Sequence, residues 1–209
     1  MKKTNEIRRE FFNRHAAQWL DTFYKDPVSG TNSRYDKEFK RLFRAIALKQ
    51  GDRVLDVGCG SGILVPYILE RIGTNGALFE LDYARKMILE NKKLHRDSRI
   101  KFLIKDLLNA KFPDTMFDAV ICFACFPHFE DKTGAMTIMS RVLKQKGSFT
   151  IAHMNSSHEI NNHHRKSPEV MNDLLPDRQT MKWLCEQNQL NITQFIDEEG
   201  FYLLLAEKG

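Results

Sequence analysis

The sequence predicts an α/β protein: one sheet of seven strands, mostly parallel with an antiparallel last strand, helices on both faces, and a helical segment ahead of the first strand. Three observations carry that expectation. From Arg53 onward, short apolar runs alternate with amphipathic stretches of helical period, the pattern of a parallel sheet covered on both sides. The last two apolar runs are separated only by "EEG", which permits a hairpin and forbids a helical crossover. The 209-residue chain is 42% hydrophobic, enough for one compact domain with a sizeable core and too little for two large ones.

Taken in order, "IRREFFNRHAAQWLDTFY" places Ile7, Phe11, Phe12, Trp19 and Phe23 at near-helical spacing, and "YDKEFKRLFRAIAL" repeats the pattern through Phe39, Leu42, Phe43 and Ile46. Between them "KDPVSGTNS" is a turn-rich joint. Strands follow at "RVLDVG", "GALFEL", "IKFLIK", "FDAVICF", "GSFTIAH", "NITQFID" and "FYLLLAE", with helices at "ILVPYILERI", "ARKMILENKKL", "GAMTIMSRVLK" and "RQTMKWLCEQN". The natural division is a helical lid over residues 1–50 and a ligand-binding domain over residues 51–209.

Composition narrows the setting. No apolar run approaches the roughly 20 residues of a membrane span, so a soluble cytoplasmic protein is expected. Four cysteines in a chain of this length do not make a disulfide framework, and reduced thiols are expected. The net charge of +5 is spread along helix faces without one dominant block, which suits a solvated surface better than a nucleic-acid footprint.

The chemistry begins at "VLDVGCGSG", where the first strand runs into alternate glycines and then into a helix. In doubly wound sheets ligands bind beyond the carboxyl ends of the strands, where this turn sits. A dinucleotide fingerprint needs a third glycine three residues after Gly60, but that position holds Ile63. Asp56 at the strand end would oppose a pyrophosphate and suits a ligand carrying positive charge.

"LDVGCGSG" resembles motif I of the class I S-adenosylmethionine-dependent methyltransferases, a Rossmann-like family. "FELDYARKM" is similar to that family's second motif, "KDLLNAKFPDTMFDAVICFACFPHF" to its third and fourth, and "RVLKQKGSFTIAH" to the approach to the fifth strand. "FFNRHAAQW" resembles the helix before motif I in the ubiquinone/menaquinone C-methyltransferase group. "KQKGS" departs from the usual Lys-Pro-Gly-Gly at what reads as a surface turn.

The resemblance implies S-adenosyl-L-methionine as cofactor. Asp56 with Gly58, Cys59, Gly60 and Gly62 would surround its amino acid end. Asp82 would accept the ribose hydroxyls, with Glu80 two residues earlier on the same strand face as the rival. Asp106 and the backbone of Leu107 would take the adenine, unless Asp106 is simply a helix N-cap. Tyr83 covers a ligand face or merely packs, and Met87 and Phe123 complete the cofactor set. A small-molecule acceptor is expected, because "CFACFPHF" lacks the Asn-Pro-Pro-Tyr of enzymes that attack planar amino groups. A methyltransferase acting on RNA or protein, and a binding module that does not transfer the methyl, are the alternatives.

For a base, His128 follows Pro127, which ends the fourth strand near Phe126 and sets the imidazole at its carboxyl rim. His153 ends the fifth strand and is the second candidate. Ser156 with Glu159 reads as a capping box that starts a short helix and puts Glu159 and His163 on one face, toward the acceptor. Trp19 and Tyr24 of the lid would complete the acceptor side. Histidines 153, 158, 163 and 164 raise a metal site, but clamping of substrate is favoured and no metal is expected. Cys122 and Cys125, three apart in one strand, would face opposite ways.

Overall fold

The inner strands of this sheet are largely apolar on both sides, and both sides find cover. The computed structural model describes residues 2–31 and 33–209. The strands are β1 (Arg53–Val57), β2 (Ala77–Asp82), β3 (Ile100–Ile104), β4 (Phe117–Phe123), β5 (Leu143–His153), β6 (Leu190–Glu198) and β7 (Phe201–Lys208), in the sheet order β3-β2-β1-β4-β5-β7-β6. All pairings are parallel except those of β7, which runs antiparallel to both β5 and β6, as the short hairpin requires.

Alternate residues of β1 feed two layers. Val54 joins Phe39 and Leu42 of α3 (Asp36–Ala45) and Ile68 of α4 (Val65–Ile72). Leu55 joins Met136 and Met139 of α6 (Lys132–Val142) and Met181 of α8 (Arg178–Glu186). The remaining helices are α1 (Lys2–His15), α2 (Trp19–Phe23), α5 (Arg85–Leu94) and α7 (Ser157–His164). Although α3 falls within residues 1–50, its apolar face is fully buried in the layer beneath the sheet.

Four local expectations are corrected. The helical stretch expected over residues 7–24 breaks into α1, a single 3-10 turn at Ala16–Gln18, and α2. The break falls where Ala16 is buried against Ala84 and Met87 and its carbonyl accepts from Ser61 Oγ. Ile7 is 48% exposed, and the buried position on that helix belongs to Arg8 at 3%. β4 stops at Phe123 rather than near Phe126, because Ala124 turns at φ 51 and Phe126–His128 form a 3-10 turn. Cys125 therefore lies beyond the strand and approaches Cys122 instead of facing away from it. β5 starts earlier than expected: Phe117 pairs with Leu143 but Ala119 with Ser148, so "KQKG" is a bulge within the strand, with Lys146 at φ 59.

Phe39 is completely buried, so Phe39→Ala should lower the unfolding free energy by about 3–5 kcal/mol in urea denaturation. A loss below about 1 kcal/mol would mean that α3 is a detachable part of the lid.

Candidate functional site

The chain reverses its direction of winding between β1 and β4, which are neighbours in the sheet although two strands separate them in sequence. Crevices open at such points. A cavity of about 460 Å³ lies there, walled by Gly58, Asp82, Tyr83, Asp106, Leu107 and Cys125 among others. A narrow space of about 70 Å³ continues under Gly60 between Met87, Trp19 and Phe123. Beyond it lies a third chamber of about 290 Å³, with Phe12, Trp19, Tyr24, Phe123, Glu159 and His163 in its wall. His128 belongs to the wall of all three.

The glycine loop is tied down by Asp82. Its Oδ2 accepts from Gly60 N–H at 3.0 Å and its Oδ1 from Ala84 N–H at 2.7 Å, leaving further lone pairs on a carboxylate that faces two cavities. Burial pushes its pKa up to about 6 against those backbone hydrogen bonds. The glycines divide by what they approach. A Cβ on Gly58 would stand 2.1 Å from Cys125 Sγ, and one on Gly62 2.3 Å from Asn91 Oδ1, whereas one on Gly60 would meet only Trp19 Nε1 at 3.9 Å. Gly58 and Gly60 both present bare backbone to a cavity, but only at Gly60 would a Cβ find space; Gly62 makes room for a protein side chain and lines none of the three cavities. Cys59 keeps its expected place beside Gly60.

Asp56 and Glu80 sit one layer lower. They are register partners on β1 and β2, 1% and 0% exposed, and neither reaches a cavity wall. The expectation that Asp56 meets the ligand directly is corrected accordingly, and Glu80 is removed as rival to Asp82 on the wall. Asn91 Nδ2 donates to Glu80 Oε2 at 2.6 Å, while Asp56 Oδ1 is buried without a partner. Burial and the facing carboxyl push Asp56 up; burial raises Glu80 to about 7 despite the bond from Asn91.

Asp106 Oδ1 caps the turn Leu107–Asn109 by accepting from Leu108 N–H, and the residue also lines the 460 Å³ cavity. Tyr83 lines the same cavity with its hydroxyl buried and unpartnered, its ring edge-on to Phe12. Met87 Sδ accepts from Ser61 Oγ.

On the acceptor side the strongest arrangement was invisible in the sequence. His128 Nδ1 lies 2.8 Å from Asp173 Oδ2, and Asp173 is held by Arg8 through both guanidinium edges, Nε to Oδ2 at 2.7 Å and Nη2 to Oδ1 at 2.5 Å. Asp173 Oδ2 thus receives two partners. Burial pushes Asp173 up, but the bonds from His128 and Arg8 outweigh it and hold the carboxyl below its usual range. An ionised carboxylate only accepts, so Nδ1 carries the hydrogen in this bond and Nε2 is the nitrogen left free of it. His164 joins the group, its ring 5.1 Å from His128 and its Nδ1 on the Asp173 carbonyl.

His153 and Glu159 both line the third chamber, each under a further constraint. His153 is 5% exposed, and burial, with His128 and His164 nearby, drives its pKa down to about 3. Such an imidazole stays neutral and is a poor base, although it lines the third chamber. Glu159 is spent on structure: Oε2 accepts from Ser156 N–H, Ser156 Oγ and Gly200 N–H, closing the capping box and bracing the β6–β7 hairpin. His163 stands exposed at the chamber rim. Among the described residues no three His, Cys, Asp or Glu side chains are grouped to hold a metal ion.

A mostly parallel sheet whose switch point carries a glycine loop clamped by an acid at the end of the second strand defines the class of S-adenosylmethionine-dependent methyltransferases. Residues 48–207 match the family model described as a methyltransferase domain, and the chain belongs to the class I S-adenosylmethionine-dependent methyltransferase family, whose cofactor is S-adenosyl-L-methionine. It is 27% identical over 157 residues to Methyltransferase GfsG of Streptomyces halstedii, covering 72% of this chain and 54%, about half, of that relative. It is 24% identical over 196 residues to O-methyltransferase rstn1 of Aspergillus nomiae, covering 88% and 82%. The fold is shared with phosphoethanolamine N-methyltransferase 2 of Haemonchus contortus, solved in complex with S-adenosyl-L-methionine, at a TM-score of 0.73 and 17% identity over 96% of this chain and 60% of that one. No helix of the described residues is long and apolar enough to cross a membrane.

Glu80 makes a pH prediction. Its pKa in the folded protein, about 7, lies above its ordinary 4.5, so as pH rises the unfolded chain releases the proton first and native stability falls across that interval. Glu80→Gln, uncharged throughout, should melt above wild type at pH 8 and lose that advantage toward pH 4, as read by calorimetric Tm.

Proposed function

We propose that this protein transfers the methyl group of S-adenosylmethionine to a small, uncharged, largely aromatic acceptor, with His128 taking a proton where the acceptor releases one. The position of His128 on the wall of all three cavities is the observation that supports this most, because it puts one titratable group between the cofactor side and the aromatic chamber.

The residues present fit the cofactor. Asp82 would hold the ribose hydroxyls with its remaining lone pairs, and Asp106 and the Leu107 backbone would meet the adenine in the 460 Å³ cavity. Gly60, with no Cβ and open space before it, would leave room for the amino acid end. Asp56, buried beneath with an unpartnered oxygen and raised by burial, would be drawn toward its ionised form by positive charge in that space, without touching it. The bound cofactor supplies an electrophilic methyl on a sulfonium, so alignment accounts for most of the acceleration and a base adds to it only for a protonated nucleophile.

The third chamber favours the kind of acceptor. Its wall is built from aromatic rings and histidines and includes no lysine or arginine, and its one carboxylate, Glu159, is committed to Ser156 and Gly200. Nothing in that wall would neutralise a phosphate, unlike what the name of the Haemonchus relative calls for. We also propose that residues 1–30 act as the lid: Phe12 packs on Tyr83 and His128, and Asn13 Oδ1 accepts from Lys86 N–H.

Calorimetry should find micromolar binding of S-adenosylmethionine and its demethylated product, with NAD at least 100-fold weaker. Asp82→Ala should weaken the former by roughly 10- to 100-fold, the worth of about 1.5–3 kcal/mol in charge-assisted hydrogen bonds. NAD binding without S-adenosylmethionine binding would overturn the reading.

Deletion of residues 1–30 should leave a folded sheet, by circular dichroism, that no longer transfers label from S-adenosylmethionine to the acceptor fraction of a cell extract. Full transfer by the shortened chain would contradict the lid. His128→Ala in the full chain should lower transfer to a hydroxylated acceptor by roughly 10²- to 10⁴-fold while retaining cofactor binding.

A further inference from the structure

Asp173 and Arg8 stand outside every motif, yet they are among the few buried charges in the protein, with side chains 5% and 3% exposed. Arg8 belongs to α1, the helix assigned above to the lid, and its partner is 165 residues away. Salt bridges at such depth are not kept for stability, since apolar replacements of similar volume often serve as well or better. Their geometry has another effect. An uncompensated carboxylate beside an imidazole favours the imidazolium, which has no lone pair to give. A guanidinium bound to both oxygens of that carboxylate, one of them the oxygen that meets the ring, cancels much of its field while leaving the hydrogen bond that fixes the ring.

We propose that Arg8 and Asp173 are positioning residues for methyl transfer: Asp173 fixes the tautomer of His128, and Arg8 holds the ring neutral when α1 packs over the site, so that closing the lid also prepares the base. The proposal rests on the reading of His128 given above. The three residues come from α1, from the turn after β4 and from the segment between α7 and α8, and only with α1 in place is the chain complete. When α1 lifts, Arg8 leaves with it and His128 is left facing a bare carboxylate. The proton collected from the acceptor passes to solvent through the opened lid, a step that the bare carboxylate slows.

Other charged or titratable groups share cavity walls with the ring or act on the pair through space. They include Asp82 and Tyr83 at the end of β2, Lys132 at the start of α6, His153 at the end of β5 and Glu159, His163 and His164 of α7, with Cys125, Glu130 and Asp131 on the same stretch as His128. Lys132 donates to the carbonyls of Pro127 and Phe129, and burial holds its ammonium below the usual range. His153 is neutral at physiological pH, and burial lowers His164 as well. Arg8 is the only one of the cations among these groups that binds the carboxylate partner of His128.

The test is nitrogen NMR of the full-length protein labelled with ¹⁵N-histidine, with the His128 signals identified by their loss in His128→Gln. Wild type should show the Nδ1–H tautomer. Arg8→Gln should move the titration midpoint of His128 up by about one pH unit or more, and Asp173→Asn should move it down by a similar amount and mix the tautomers. Arg8→Lys, which keeps the charge, should return the midpoint to within a few tenths of wild type. Shifts in the same direction for Arg8→Gln and Asp173→Asn, or no shift in either folded variant, would overturn the proposal, since a purely structural pair would not move the midpoint in opposite directions. Calorimetric binding of S-adenosylmethionine to the same samples separates the two readings. Its absence in wild type would end the methyltransferase reading whatever the histidine does, and its presence with an unmoved midpoint would end only this one.

Discussion

The close approach of bare backbone to two side chains governs the site. Because Gly58 has no Cβ, Cys125 can occupy the space beside it, and the segment after β4 folds down onto the end of β1. Because Gly62 has none, Asn91 of α5 reaches under the loop to Glu80. Both glycines have positive φ, where a side chain would add strain to the collision. With the loop pressed from two sides, its middle residue is the one that turns outward, and Asp82 locks it by accepting from Gly60 N–H. His128 follows Cys125 by three residues, so the depth at which the thiol seats also sets where the imidazole stands.

Beneath that loop the protein maintains an unusual layer of acid. Asp56, Glu80 and Asp82 succeed one another across β1 and β2, all buried, with no lysine or arginine hydrogen-bonded to any of them. Each is raised by burial, the expected response of carboxyls without a counter-ion. Carboxyls raised in this way carry little charge by themselves, and a cationic sulfonium with its ammonium group above them would draw them toward the ionised form.

The fold was legible because its signals are local. Strand periodicity, the Ser156–Glu159 capping box and the glycine loop are each contained within a few residues, and each appears where its pattern places it. The family motifs likewise put Asp82, Asp106 and His128 on the cavity walls. What could not be read depends on depth or on distant contact. Nothing in the spelling of "LDVG" says that Asp56 lies below the wall rather than on it, and nothing in "IAHM" says that His153 is sealed from solvent. Arg8 reads as one more charge in a basic helix, and Asp173 as a polar residue in a loop; their pairing exists only because α1 crosses to the far half of the sheet. The structural role of Glu159 is hidden in the sequence for a related reason, since its bond to Gly200 belongs to a hairpin 41 residues away.

The place of β7 bears on how the chain is made. It is the last strand in sequence but lies inside the sheet, between β5 and β6, and supplies the hydrogen-bond partner of both. During synthesis β5 must therefore wait with one edge open until residues 201–208 emerge from the ribosome, while β6 has no neighbour at all. Open edges invite pairing with other chains, and contacts formed late between distant segments slow folding. The time taken to translate α8 and the hairpin thus sets how long the β5 edge stays open.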